Sequence, residues 1–308
     1  MMDETATRDH MSWYQATARQ RLAGLLDPKS FVEFIGPSER VESPHLHIFD
    51  LPRAFDDGVI IGRGALGGVP VLVAAQEGQF MGGTFAEVSG AKLVGLLRAA
   101  RDHKDLPQTV LLLLDSGGVR LQEANAGELA VAEFMRAIVQ ARSAGVAVIA
   151  LVGGKSGAFG GAGLTAGVCS RVIVSEQGRI GVSGPEVIET NKGVEEYDSR
   201  DKALVWSVCG GKNRRLLGMA DAFTADSMAG FREAAKAQMT LSAPFNIATL
   251  QAEQKRLTER QEKLGACDDA NAMWKILGVK TPEAVADMDA AGFISLANGI
   301  KDSNHDAR

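Results

Sequence analysis

Cysteine and histidine are scarce in this chain of 308 residues, which limits the disulfide and metal chemistry it can carry. The three cysteines, Cys169, Cys209 and Cys267, lie far apart and form no C-x-x-C pair. That spacing argues against a disulfide framework or a zinc ribbon, and it favours a reducing, cytoplasmic location. Five histidines include one close pair, His45 and His47, but no carboxylate–histidine helix motif accompanies it, so we expect no metal site.

Long apolar runs and a dominant charge are also missing. No apolar stretch approaches the roughly 20 residues that a membrane-spanning helix needs. The opening Met1–Met11 is too polar and acidic for a secretory signal. Because the net charge is −5 with no long basic run, we expect neither a membrane nor nucleic acid as a partner. The 45% of hydrophobic and 23% of charged residues are typical of a soluble globular protein.

The chain does contain an apolar run that ends in paired glycines. Thr109–Leu114 is typical of a strand buried on both faces, Asp115-Ser116-Gly117-Gly118 follows it, and Asn125–Ala141 has a helical pattern. A strand that passes through glycines into a helix leaves backbone N–H groups free to hold a phosphate or an oxyanion. The plain alternative for a single Gly-Gly is a tight turn.

A second copy of this arrangement follows downstream. Ala147–Val152 is another buried strand, and it runs into a glycine-rich stretch that contains Gly160-Gly161 and then into a small-residue helix ending near Cys169. Two such units in tandem can direct two sets of backbone donors at one point. The enolate of a thioester would be held in this way.

The first 57 residues are predicted to contain one helix, one strand and an irregular connection. In region 1–57, apolar spacing predicts a helix over Ser12–Leu26 with Arg19 and Arg21 facing solvent, then a strand at Ser30–Phe34 and an irregular, proline-containing connection over Gly36–Asp57.

Region 58–190 has a repeating pattern of strands and helices. Strand starts near Val69, Thr109 and Val146 recur at about 35 to 40 residues and predict a spiral of ββα turns in an α/β fold. Gly62–Gly67 matches the dinucleotide fingerprint, but we reject that function because the segment Val69–Ala75 that follows reads as a strand and not as a helix.

Region 191–308 is predicted to be helical, with a polar tail from Asp302. The main candidates are Asp198–Val208, Ala225–Leu241 and Phe245–Leu264. The stretch Gln251–Lys263 is mostly charged, which indicates either a solvated helix or a docking surface.

Taken in order, the glycine motifs resemble those of the biotin-dependent acyl-CoA carboxyltransferases of the crotonase superfamily. The resemblance covers roughly Ser12–Ala235 and extends to the opening with Arg19 and Phe31. It is carried by five motifs: Phe80-Met81-Gly82-Gly83, Ser116-Gly117-Gly118-Val119-Arg120-Leu121-Gln122-Glu123, Gly160-Gly161, Ser175-Glu176 and Gly184-Pro185-Glu186-Val187-Ile188-Glu189. It implies a crotonase-like ββα spiral with a helical C-terminal region.

Within that superfamily, the chain most resembles the beta subunits of biotin-independent malonate decarboxylases. It has no cysteine before Cys169, whereas acetyl-CoA carboxylase beta subunits carry an N-terminal zinc ribbon, and it has room for only one crotonase-like half. The resemblance implies decarboxylation of a malonyl thioester on an acyl carrier protein, through an enolate. It also implies no biotin, no cofactor bound by this chain, and a phosphopantetheine-type arm that carries the substrate. The implied partners are a gamma subunit, the acyl carrier protein and a carrier-protein transferase subunit.

The resemblance also assigns candidate site residues. The oxyanion-hole candidates are Gly117, Gly118, Gly160 and Gly161. The substrate-binding candidates are Phe80, Met81, Gly82, Gly83, Ser116, Arg120, Gln122 and Glu123, although Glu123 could equally order its loop. The segments Ala158–Val168 and Ser183–Glu189 are expected near the surface that meets the gamma subunit.

Two other functions stay open. One is a carboxyltransferase subunit that moves a carboxyl group from biotin to an acyl-CoA, and the other is a scaffold that keeps the fold without activity. Dependence on biotin separates the first from a decarboxylase, and loss of activity on changing the glycine loops excludes the second.

Overall fold

The architecture is built from one large mixed sheet, a small second sheet and helices around both. The computed structural model describes residues 10–241 and 244–300. The strands are β1 Val32–Glu33, β2 Val59–Leu66, β3 Val69–Gln76, β4 Thr109–Leu114, β5 Ala147–Val152, β6 Ala158–Phe159, β7 Arg171–Ser175, β8 Ile180–Gly181 and β9 Ala222–Thr224. The helices are α1 Ala18–Leu25, α2 Glu87–Asp102, α3 Asn125–Ser143, α4 Gly161–Val168, α5 Pro185–Lys192, α6 Lys202–Cys209, α7 Gly211–Leu216, α8 Met228–Met239, α9 Ile247–Leu264, α10 Ala270–Ile276 and α11 Ala290–Asn298.

The large sheet has the order β1-β2-β3-β4-β5-β7-β9. The pairings β1–β2 and β2–β3 are antiparallel, and every pairing from β3 to β9 is parallel. The fingerprint glycines Gly62 and Gly64 lie inside β2, opposite Val73 and Val71 of β3. The strand expected after them is therefore confirmed, and the dinucleotide interpretation stays rejected.

Both faces of the large sheet are covered, and the apolar strand sequences alternate between two cores. Val110, Leu112 and Leu114 of β4 belong to the core under α2 and α3, whereas Leu111 and Leu113 belong to the core under α1 and α8. Because side chains alternate across a strand, an uninterrupted apolar run is what burial on both faces requires. This confirms that Thr109–Leu114 is a doubly buried strand.

The small second layer accounts for the predicted ββα turns. β6 pairs with β8 in parallel, and single bridges join Ser116 to Ala158 and Phe85 to Val119. Each turn of the chain thus has a long strand in the large sheet, a short extended segment in the second layer, and then a helix. The predicted α/β spiral of ββα turns is confirmed.

Several predicted boundaries change in the structure. α1 begins at Ala18 and not at Ser12, because the side chains of Thr17 and Gln20 each accept the other's backbone N–H in a capping box. In the second glycine unit, Ala158–Phe159 is a short strand, so the helix predicted over Ala158–Val168 starts only at Gly161.

Region 191–300 contains more than the predicted helices. Ala222–Thr224 pairs with β7 and adds a seventh strand to the large sheet, whereas the sequence pattern indicated only helices there. α10 and α11 add Trp274 and Phe293 to the core under α2 and α3. The predicted tail from Asp302 lies outside the described residues.

The helices of the described chain include none that could cross a bilayer by length and apolarity.

Candidate active site

Asp115, the first residue after β4, joins three parts of the chain. Its carboxylate is almost fully buried, and Oδ1 accepts the backbone N–H of Ser156 at 2.7 Å. Oδ2 accepts from Nη1 of Arg21 at 2.7 Å. The Asp115 side chain therefore links the loop after β4 to the loop after β5 and to α1.

Glycines allow these loops to approach Asp115 closely. A β-carbon placed on Gly78 would lie 2.4 Å from Asp115 Oδ2, and one on Gly154 would lie 2.2 Å from its Cγ. A β-carbon on Gly83 would lie 1.8 Å from the Asp115 carbonyl oxygen, and Gly83 also has a φ of 65°. Since real β-carbons do not approach other atoms this closely, the loops after β3 and β5 reach Asp115 only because they carry glycine at these positions.

Arg21 is part of this arrangement, which corrects the expectation that it faces solvent. It is 2% exposed, and its Nε also donates to the carbonyl of Trp13 at 2.9 Å. Arg19 matches the expectation, with a side chain 47% exposed. The spacing of Ala18, Arg21 and Leu25 places the Arg21 side chain on the buried face of α1.

The Phe80–Gly83 segment lies directly beside the first glycine pair. Met81, Gly82 and Gly83 all have left-handed φ values of 50°, 68° and 65°. The carbonyl of Gly82 accepts the N–H of Gly117 at 2.9 Å. The structure thus brings this candidate segment and the first glycine pair together.

The four oxyanion-hole candidates differ in how their N–H groups are used. Gly117 N–H donates to Gly82 as described, and Gly160 N–H donates to the carbonyl of Val182 at 3.0 Å. Gly118 N–H donates to Oγ of Ser116 at 3.2 Å. Gly161 is the first residue of α4, and within the described residues its N–H has no acceptor.

The two glycine pairs face each other across a narrow gap. A β-carbon on Gly160 would lie 3.3 Å from Cα of Gly118. The side chain of Ser116, fully buried, also donates to the Gly118 carbonyl at 3.2 Å and so fixes the same loop. The first glycine pair and the start of α4 therefore lie next to each other.

The helices after β4 and after β6 begin with the same unusual backbone conformation. Gly160, the N-cap of α4, has φ 55° and ψ −126°. Ala124, the N-cap of α3, has φ 48° and ψ −128°. For a residue with a β-carbon this conformation is strained, and such strain is concentrated at functional sites. The sequence pattern did not single out Ala124, because alanine gives no indication of a positive φ.

Arg120 and Glu123, which follow the first glycine pair, belong to a buried network of ion pairs with Asp57. Arg120 Nη1 donates to Asp57 Oδ1 at 2.8 Å and to Glu123 Oε1 at 2.9 Å, and both carboxylate side chains are fully buried. Burial raises the pKa of Asp57, and the charge of Arg120 offsets this only in part. Burial also acts to raise the pKa of Glu123, but hydrogen bonds from Glu87 N–H, Ser43 and Arg120 outweigh it and hold that pKa below its usual range.

The contacts of Glu123 favour the loop-ordering role that the sequence left open. Its Oε1 accepts from Ser43 Oγ at 2.6 Å and its Oε2 accepts from Glu87 N–H at 3.0 Å. Gln122, by contrast, is exposed beside Leu121, which is 80% exposed. The substrate-binding assignments of Arg120, Gln122 and Glu123 stay predictions.

Comparison with known protein families gives a match over most of the chain. A family model described as the carboxyl transferase domain matches residues 13–244. The chain is 38% identical over 310 residues to the malonyl-S-ACP:biotin-protein carboxyltransferase MADC of Malonomonas rubra, covering 94% of this chain and 96% of that protein.

Two solved structures of malonate decarboxylase assemblies are similar to this fold. One is a Pseudomonas malonate decarboxylase hetero-tetramer in complex with malonate, with a TM-score of 0.78, 40% identity, and coverage of 89% of this chain and all of the matched chain. The other is the Pseudomonas MdcD–MdcE hetero-dimer, with a TM-score of 0.63, 37% identity, and coverage of 80% and 96%. The crotonase-like architecture expected from the glycine motifs is thereby confirmed.

Proposed function

Because this chain belongs to the carboxyl transferase domain family, a family of carboxyltransferase enzymes, we propose that it is the beta subunit of a biotin-independent malonate decarboxylase. Its substrate is a malonyl group held as a thioester on the phosphopantetheine-type arm of an acyl carrier protein. The observation that carries the proposal is the close approach of the two glycine loops, in which Gly160 lies against Gly118 and the N–H of the next residue, Gly161, has no acceptor within the described residues.

The reaction needs stabilisation of negative charge on the thioester oxygen. The bond between the malonyl carboxylate and the α-carbon breaks, carbon dioxide leaves, and the electron pair moves onto the thioester oxygen as an enolate. Protonation of the α-carbon then gives the acetyl thioester. A fixed N–H donor at the developing oxyanion contributes about 3 kcal/mol, so two donors contribute about 6 kcal/mol.

Gly161 and Gly118 supply the two N–H donors in this proposal. The Gly161 N–H lies at the start of α4, where the helix dipole also favours negative charge. The Gly118 N–H donates to the Ser116 hydroxyl at 3.2 Å, and in this proposal it exchanges that acceptor for the thioester oxygen. Gly117 and Gly160 keep their backbone acceptors and act by shaping the two loops.

The remaining candidate residues shape the cleft around these donors. Phe80–Gly83 forms the wall beside Gly117, where the Gly82 carbonyl accepts the Gly117 N–H. Arg120 and Glu123 order the loop that follows Gly118, since the Arg120 guanidinium donates to the Glu123 carboxylate. A gamma subunit completes the cleft, and a carrier-protein transferase subunit loads the carrier.

A carboxyltransferase that hands the carboxyl group to a biotin protein is the second candidate, and the similarity to MADC of Malonomonas rubra favours it. Both reactions break the same bond and pass through the same enolate. They differ only in whether carbon dioxide is released or captured.

Release of carbon dioxide from malonyl carrier protein separates the two functions. We expect the chain, assembled with its second subunit, to release carbon dioxide and form acetyl carrier protein at the same rate with or without avidin. Loss of turnover on adding avidin, or turnover only with a biotin protein present, would replace the decarboxylase by the transferase. If a correctly assembled complex showed neither activity, the remaining interpretation would be a scaffold that keeps the fold without activity.

A further inference from the structure

Three side chains with metal-binding atoms meet outside the two glycine pairs, contrary to the expectation that His45 and His47 belong to no metal site. His45 Nε2 lies 2.7 Å from Glu87 Oε2, and His45, Glu87 and Glu123 each offer one ligand atom that lies within 4.8 Å of the other two. The three residues come from separate parts of the chain: the irregular connection, the first turn of α2 and the turn before α3. An imidazole and two carboxylates are a known type of ligand set for a divalent transition metal.

Glu123 is already held in one orientation. Ser43 and Arg120 donate to its Oε1 at 2.6 and 2.9 Å, whereas Oε2 accepts only the Glu87 N–H, at 3.0 Å, within the described residues. Arg120 therefore engages one oxygen of the carboxylate, and the other oxygen is directed to Glu87. Hydrogen bonds that fix a carboxylate in this manner are characteristic of metal sites.

The charges around Glu123 favour a cation. The buried carboxylates of Asp57 and Glu123 share one guanidinium, Arg120, and Glu87 adds a third carboxylate. The ammonium group of Lys92 donates to the backbone carbonyls of the connection and β2, and its charge also interacts with Asp57. The carboxylates of Asp57, Glu87 and Glu123 thus outnumber the cations Arg120 and Lys92, and this excess of negative charge favours a divalent cation.

The two outer ligands are open to solvent. The side chains of His45 and Glu87 are 38% and 55% exposed, so an ion can enter without unfolding the protein. Zinc bonds of about 2.0 to 2.2 Å in tetrahedral geometry require the ligand atoms to lie a little over 3 Å apart. His45 Nε2 and Glu87 Oε2 are 2.7 Å apart, so binding of an ion requires these two atoms to separate slightly.

We propose that His45, Glu87 and Glu123 bind one divalent transition-metal ion of the Zn²⁺ type through an imidazole nitrogen and two carboxylate oxygens. The ion ties the connection between β1 and β2 to the start of α2 and to the turn before α3. The imidazole selects against Mg²⁺ and Ca²⁺, which prefer oxygen ligands. None of the three ligands is an oxyanion donor, and the test of the site measures Zn²⁺ binding and not turnover.

Titration of Zn²⁺ into the purified full-length chain tests the site by calorimetry. We expect one binding event that weakens at least tenfold in His45→Ala and in Glu87→Gln. His47→Ala is the matched control, because His47 is an exposed histidine two residues away, and its affinity should equal that of the unsubstituted chain. Binding of Zn²⁺ should also raise the unfolding temperature of the unsubstituted chain and of His47→Ala.

Glu87→Gln keeps an oxygen that accepts a hydrogen bond from His45, so its fold is expected to persist and circular dichroism checks it. If Zn²⁺ bound His45→Ala and Glu87→Gln as tightly as His47→Ala, the ion would lie elsewhere and the proposal would be wrong. If the unsubstituted chain took up no Zn²⁺, His45 and Glu87 would form an ion pair only, which also overturns it. Both results are independent of any activity assay.

Discussion

At the scale of single residues, backbone N–H groups carry the proposed chemistry and a buried ion pair holds them in place. Gly161 offers its N–H at the start of α4. The Asp115 carboxylate joins α1, through Arg21, to the loop after β5, through the N–H of Ser156. The proposed mechanism therefore uses residues of two kinds. Gly161 contributes only its backbone, whereas Asp115 and Arg21 contribute buried charges that order the surrounding loops.

Removing the N–H of Gly161 should reduce turnover without changing the fold. Proline lacks the N–H and is tolerated at the first position of a helix. A β-carbon at Gly161 would lie 2.4 Å from Val131 Cγ2, so both variants are made in a Val131→Ala background. We expect Gly161→Pro to release carbon dioxide at least about a hundredfold more slowly than Gly161→Ala, which keeps the N–H.

The alanine variant controls for the added β-carbon. Equal turnover of the two variants, both folded by circular dichroism, would remove Gly161 from the oxyanion site. Gly118 does not allow the same comparison, because its φ of 132° is incompatible with proline.

Breaking the ion pair between Arg21 and Asp115 should destabilise the whole chain. Both side chains are 2% exposed, so Arg21→Met leaves a buried carboxylate without its counter-ion. We expect the free energy of unfolding in urea to fall by about 3 to 5 kcal/mol, and Arg21→Met combined with Asp115→Asn to recover part of this loss.

The exposed pair of Arg98 and Glu133 is the control, because the Arg98 side chain is 46% exposed. Arg98→Met should cost less than about 1 kcal/mol. A loss of that small size for Arg21→Met would mean that the carboxylate of Asp115 finds another partner.

At the scale of secondary structure elements, α3 and α4 begin in the same backbone conformation with different residues. Ala124 and Gly160 have nearly equal φ and ψ, yet only glycine adopts this region without strain. Replacing Ala124 with glycine should therefore relieve strain of about 1 to 3 kcal/mol, reduced by the roughly 0.5 to 1 kcal/mol that glycine's extra freedom costs.

We expect Ala124→Gly to raise the free energy of unfolding and Gly160→Ala to lower it. In Gly160→Ala the added β-carbon also meets Gly118, 3.3 Å away, so carbon dioxide release should fall as well. Thermal unfolding followed by circular dichroism measures both changes. A destabilised Ala124→Gly would show that α3 starts without strain.

The elements that could be predicted from sequence are those with long or repeated patterns. The apolar run of β4 and the glycines after it indicated a doubly buried strand and a loop, and the structure has both. Ala222–Thr224 escaped prediction because three residues carry no periodicity, and its strand exists only through pairing with β7.

The candidate site also contains one part that could be predicted from the sequence and one part that could not. The glycine loops were recognisable because close backbone approach demands glycine, whereas the Arg21–Asp115 pair joins residues 94 positions apart. No local pattern marks such a contact. The place of Arg21 between Ala18 and Leu25 on one helix face was the signal available, and the basic side chain obscured it.

At the scale of the whole molecule, the proposed subunit interface lies near the start of α4. Leu164 on α4 is 44% exposed and Val187 on α5 is 52% exposed, and both fall in the segments expected near the gamma subunit. The two Pseudomonas structures are a hetero-dimer and a hetero-tetramer, which supports a second chain as partner. Stable subunit interfaces bury about 2,000 Å² or more and are rich in apolar residues.

A charge placed on this surface should weaken assembly, whereas the same charge elsewhere should not. We expect Leu164→Arg and Val187→Arg each to weaken binding of the second subunit at least tenfold, because the interface would have to bury an unpaired charge. Val69→Arg is the matched control, since Val69 is 51% exposed. It begins β3, which runs parallel to β4, so it lies at the end of the strands opposite the glycine loops. Light scattering measures the assembled species, and carbon dioxide release should fall in proportion to it. Equal assembly of all three variants would place the partner on another face of the molecule.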